Sequence, residues 1–173
     1  HLVTVGLMLF FVGYFLLDTL YSKMVATLLM ALPYCVASAE PMFRLAGTWW
    51  IGESDGGWLS MGNIYLMGVG GMIIFGSLIY LFPVWVSMRF VKKIPVPLTL
   101  GIGFAIAEFA RSLVFGGYSW GTFGYLMVET QYVKHLGGIV GVYGLTAFVV
   151  MWSAWFGQIA VRMKSGSGSL VHR

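Results

Sequence analysis

Charge is scarce in this chain: Asp, Glu, Lys and Arg make up 9% of its 173 residues, while 59% are hydrophobic. A soluble globular domain carries about 25% charged residues, so this composition excludes one. The mean hydropathy of +0.87 points the same way. Strand-like alternation of apolar and polar residues is missing as well, which excludes a membrane β-barrel. Cys35 is the single cysteine and cannot form an internal disulfide. No Cys–His pairing has metal-ligand spacing, so neither a metal nor another cofactor is expected. With no histidine near it in sequence, Cys35 is expected to be an inert core thiol rather than a nucleophile. The net charge of +4 does not mark a nucleic-acid binder, because the basic residues stand at the ends of apolar runs, where they orient a membrane protein.

What the chain does contain is apolar runs, near residues 2–17, 24–39, 64–88, 98–115 and 139–161. A helix needs about 20 apolar residues to cross about 30 Å of hydrocarbon. The expected fold is therefore all-α, a polytopic transmembrane helical bundle of about five spans over residues 1–164, with a flexible Ser/Gly tail at 165–173. The first two runs are short for a span, and the second contains Pro33, which a packed membrane helix tolerates. The chain starts at His1 and enters a span at once, which reads as a fragment or a processed form. The glycines Gly68, Gly70, Gly71 and Gly76 are expected to let another helix approach closely.

Sidedness follows from charge. Arg89, Lys92 and Lys93 precede the stiff Pro95-Val96-Pro97 turn, and Arg162 and Lys164 close the last run. Basic ends favour the cytoplasmic side, so the 89–97 loop and the tail are expected there and the 116–138 loop on the outer side. The 40–62 stretch, with Glu40, Glu53 and Asp55 against Arg44, falls outside as well. Its Trp49, Trp50 and Trp58 suit a headgroup layer, as an aromatic belt or as contacts to a lipid substrate.

Glu108 and Arg111 are the two opposite charges that sit together inside an apolar run. Their i,i+3 spacing puts them on one helix face. A charge in hydrocarbon is costly, so such a pair is a functional-site candidate, with a structural or snorkelling ion pair as the competing reading. Next to it, Gly116-Gly117-Tyr118-Ser119-Trp120-Gly121 presents two aromatic rings, Tyr118 and Trp120, able to meet a lipid chain or headgroup; an ordinary interfacial hairpin would look the same. Gly141-Val142-Tyr143-Gly144 opens the last run, where glycines favour close packing and the Tyr143 hydroxyl can find a partner. His135, without partners at ligand spacing, is expected to be solvated.

In order, Ala107-Glu108-Phe109-Ala110-Arg111, Gly117-Tyr118-Ser119-Trp120, Gly124-Tyr125 and Gly141-Val142-Tyr143-Gly144-Leu145-Thr146 resemble the membrane domain of bacterial apolipoprotein N-acyltransferases. Ser112 and Ser119 depart from the family's Gly and Pro. Around Trp49-Trp50-Ile51-Gly52-Glu53-Ser54 the chain is also similar to plasmid conjugal-transfer relatives of these enzymes. The resemblance implies acyl transfer from a phospholipid to the amino-terminal cysteine of a lipoprotein, in the bacterial inner membrane. It also implies that a Glu, a Lys and a Cys do the chemistry in a nitrilase-like domain, carried by a longer chain or a partner. No residue of this chain, neither Cys35, Glu108 nor Lys134, matches that set, so no catalytic residue is expected here. Lipid or substrate contact falls to Glu108, Arg111, Tyr118, Trp120 and Tyr143. The alternatives are a non-enzymatic assembly or conjugal-transfer component, and a small transporter with Glu108 as its proton site.

Overall fold

A computed structural model describes residues 2–39, 61–90, 94–114, 122–125 and 131–164. Tyr118, Trp120, the tryptophans of the 40–62 stretch and the 165–173 tail lie outside the described residues. The described part is helical: α1 (Leu2–Leu16), α2 (Leu20–Ser38), α3 (Met61–Ile79), α4 (Leu81–Phe90), α5 (Val96–Leu113) and α6 (Gln131–Lys164).

Local chemistry sets the helix ends. Leu17-Asp18-Thr19 separates α1 from α2, and the Thr19 hydroxyl accepts the N–H of Ser22 at 3.1 Å, capping α2. Pro83 cannot donate to the carbonyl four residues back, and its ring crowds that carbonyl. The run expected as one span is accordingly interrupted at Tyr80, between α3 and α4. Pro95 and Pro97 set the first turn of α5, where a missing N–H costs nothing. Polar side chains inside the helices turn back on their own backbone, as Ser77 does to the Ile73 carbonyl at 2.7 Å and Thr27 to that of Lys23 at 2.8 Å. This keeps a hydroxyl satisfied without water.

The side-chain polarity is that of a membrane protein. On α5, Leu98, Ile102, Ile106, Phe109 and Leu113 form an exposed apolar stripe at helical spacing, while Gly101, Gly103, Glu108 and Arg111 face inward. On α6, Trp152, Trp155, Phe156 and Ile159 frame an open apolar groove. Four helical stretches, Leu20–Ser38, Tyr65–Phe90, Val96–Leu113 and His135–Lys164, are long and apolar enough to cross a membrane, and Thr4–Leu16 is a shorter apolar helix. The fold is a helical membrane bundle of about five spans. Its last helix also takes in 131–138, a polar and Gly-containing stretch placed by hydropathy in the preceding loop.

Within the bundle α6 packs on α5 and α1, α5 on α4, and α2 on α3 and α4. Close approach happens at glycines. A β-carbon on Gly101 would stand 2.6 Å from the Ala147 carbonyl oxygen, one on Gly103 2.6 Å from Pro83, and one on Gly157 2.7 Å from the Phe11 backbone. Among the described residues, Gly68, Gly70 and Gly71 have no neighbour within 4 Å of that position, and Gly76 makes only ordinary contacts. Close packing therefore falls on α5 and α6 instead of α3, which lies towards the edge of the bundle against α2.

Candidate functional site

The inner face of α5 carries Glu108 and Arg111, 0% and 1% exposed, one turn apart as their spacing predicts. A buried carboxylate is tolerable only if its oxygens are hydrogen-bonded. Both are. Glu108 Oε1 accepts the Tyr80 hydroxyl at 3.1 Å and the backbone N–H of Phe123 at 2.8 Å. Glu108 Oε2 accepts the hydroxyl of Thr146. The donors come from the α3–α4 break, the 122–125 turn and α6, so one carboxylate joins three segments to α5.

Thr146 extends this network. Its Oγ1, while donating to Glu108, accepts the N–H of Gly124 at 2.8 Å. Two successive N–H groups of the 122–125 turn are thereby held by the α5–α6 pair, and the turn closes on itself through Tyr125 N–H to the Thr122 carbonyl at 3.0 Å. The Phe123 ring is the plug of this turn. It stacks on Tyr34 at 4.4 Å between centroids and lies 5.8 Å from Tyr80 and 6.0 Å from Phe104. Aromatic pairs of this kind are worth about 0.5–1.5 kcal/mol each beyond their burial.

Gly141 explains how α6 reaches the turn. Its backbone has φ 70 and ψ 174, a non-helical conformation inside α6 that is essentially restricted to glycine. The helix thus breaks one residue before Val142, whose carbonyl faces Gly124 so closely that a β-carbon there would stand 2.0 Å from the oxygen. Gly124 and Gly141 permit the contact, and Thr146 secures it.

Arg111 occupies the other side of the cluster. Its guanidinium carbon lies 5.7 Å from the Tyr80 ring centroid, and Nη1 is 4.0 Å from Cys35 Sγ. Cys35 is fully buried. Tyr143 is half-buried, with its ring edge-to-face on Phe109 at 5.5 Å. The structure thus brings Glu108 and Arg111 into one interior cluster and sets Tyr143 against the outward side of α5. Tyr80, Phe123 and Thr146 complete the cluster and were not among the candidates; Thr146 closes the Gly-Val-Tyr-Gly-Leu-Thr motif, which was a usable signal.

These features define a polytopic helical membrane protein whose inner polar cluster docks a Gly/aromatic turn. Residues 39–155 match the family model described as the apolipoprotein N-acyltransferase N-terminal domain. The chain belongs to that family. Among curated proteins it is similar to the apolipoprotein N-acyltransferase of Brucella suis biovar 1 (strain 1330), 26% identical over 114 residues. That alignment covers 62% of this chain and 21% of the relative, so the chain spans about a fifth of the relative's length. No solved structure matches.

Proposed function

We propose that this chain is the membrane portion of an apolipoprotein N-acyltransferase-like protein of the bacterial inner membrane, with residues 89–97 and the C-terminal tail cytoplasmic and residues 116–138 periplasmic. In that role it anchors a nitrilase-like catalytic domain, present in a longer chain or a partner. The reaction served is acyl transfer from a phospholipid to the amino-terminal cysteine of a lipoprotein. The bundle and the 116–138 stretch line the lateral entrance by which lipid reaches that domain, with Tyr118, Trp120 and Tyr143 as lipid contacts. Glu108 and Arg111 act by positioning.

The observation that carries this reading is the attachment of the 122–125 turn. Three internal donors occupy the Glu108 carboxylate, which supports a fixed anchor for the loop over a proton carrier that must exchange partners during transport. A phospholipid bearing a photoreactive acyl chain tests it, in liposomes containing the chain. Adducts concentrated between 116 and 125 are expected. Adducts spread evenly over the outward faces of α1 to α6 would remove the lipid-entry role.

A further inference from the structure

The described residues include only two acids, Asp18 and Glu108, and Glu108 is buried in the bundle. Of the described cations, Arg111 shares the Glu108 cluster and Lys134 stands in the first turn of α6; the other four lie elsewhere. Lys23 stands in the first turn of α2, Arg89 ends α4, and Arg162 and Lys164 end α6. Contacts of Tyr14 with Ser87, of Lys23 with Met88 and of Gly157 with Phe11 bring these helix ends to one end of the bundle. In sequence Lys92 and Lys93 follow α4 directly.

Lys23 differs from the others in its setting. It is half-buried, its Nζ lies 5.1 Å from the centroid of the Tyr14 ring, and it donates to Met88 Sδ at 3.6 Å. Tyr14 is itself 1% exposed, with its hydroxyl 3.3 Å from Ser87 Oγ, so the ring is a fixed wall. A lysine at a membrane boundary ordinarily extends its head into water. This one is drawn back against the seam of α1 and α4, where its partners are a thioether, a weak acceptor, and an aromatic face. An ammonium has three N–H donors, and soft partners leave donors for an anion. The exposed Asp18, the one acid among the described residues at this end, is near enough to act on the Lys23 ammonium, so an anion bound there meets one competing negative charge.

The neighbouring surface has the polarity of a lipid. Phe82, Trp85 and Arg89 recur at i, i+3 and i+7, an exposed stripe of α4 with two rings below a cation, and Met88 joins that stripe to Lys23. Basic pockets between transmembrane helices bind anionic headgroups. We propose that Lys23 and Arg89 form a binding site for the phosphate of an anionic phospholipid whose acyl chain lies along Phe82 and Trp85. The site is at the end of the bundle marked by basic residues and is independent of the acyl-transfer reading.

Thermal unfolding of the purified chain in a neutral detergent tests it, with phosphatidylglycerol or phosphatidylcholine of matched chains added. Phosphatidylglycerol is expected to raise the midpoint by about 4 °C at saturation through mass action on the folded state, and phosphatidylcholine far less. Lys23→Gln should abolish the difference, Lys23→Arg should retain most of it, and Arg162→Gln should leave it unchanged. If Lys23→Gln does not fold, the exposed Arg89→Gln takes its place with the same expected loss. Equal shifts from both lipids, an equal loss in Arg162→Gln, or the same shift from glycerol 3-phosphate alone would overturn the proposal.

Discussion

Gly124 lies against the carbonyl of Val142 with no room for a β-carbon, which would come within 2.0 Å of the oxygen. The obstacle is backbone, so no rotamer change relieves it. Gly124→Ala is expected to cost about 3 kcal/mol or more, at or above the upper end of the range for overpacking. Gly138→Ala, where nothing among the described residues lies within 4 Å, should be neutral or slightly stabilising. Unfolding midpoints of the two variants in the same detergent provide the comparison.

Glu108 offers a graded series. Glu108→Ala strips an acceptor from three buried donors, at about 1–3 kcal/mol for each group left unpaired. Glu108→Gln keeps one oxygen for Tyr80 and Phe123 but faces Thr146 with an amide, so it should lose less. Hydrogen exchange reports this directly: the Phe123 and Gly124 amides should lose protection in both variants, more in the alanine one, while α1 amides stay protected.

At Gly141 the penalty is conformational: φ is 70 and no atom of the described residues lies within 4 Å of a β-carbon built there. Gly141→Ala is expected to destabilise by about 1–3 kcal/mol. A part of the population should straighten through residue 141, seen as a longer distance between spin labels placed on exposed positions 136 and 155.

Cys35 is 0% exposed. A maleimide should leave the folded chain unlabelled and react fully once the chain is denatured, so the labelling rate measures opening of the α2 region. Rapid labelling of the folded chain would contradict the burial.

The helices were legible because hydropathy and the proline positions are local properties. The i,i+3 spacing already puts Glu108 and Arg111 on one face, whereas reading 64–88 as one run misses the break at Tyr80, although Pro83, four residues after Ile79, accounts for it. That Tyr80, Phe123 and Thr146 meet at Glu108 was not legible, although the motif that ends at Thr146 was visible. Tyr80, Phe123 and Thr146 stand 28, 15 and 38 residues away, distances at which spacing carries no geometry. Glycine counts misled for a related reason: α3 has more glycines in a short run, but close contact depends on which helix lies opposite, and that is a tertiary fact. Gly101 and Gly157, less conspicuous in sequence, face backbone.

The three-segment ligation of Glu108 also bears on how the chain enters the membrane. Inserted alone, α5 would bring an acid and a guanidinium into lipid in its last two turns, at a cost below the about 2.5–3.5 kcal/mol that insertion scales give for a charge at a helix centre. Tyr80 precedes α5 in synthesis, but Phe123, Gly124 and Thr146 emerge only afterwards. α5 gains its full set of donors when the turn and the lower half of α6 are in place. The two helices are therefore expected to partition as one hairpin, and truncation before Thr146 should leave α5 poorly inserted.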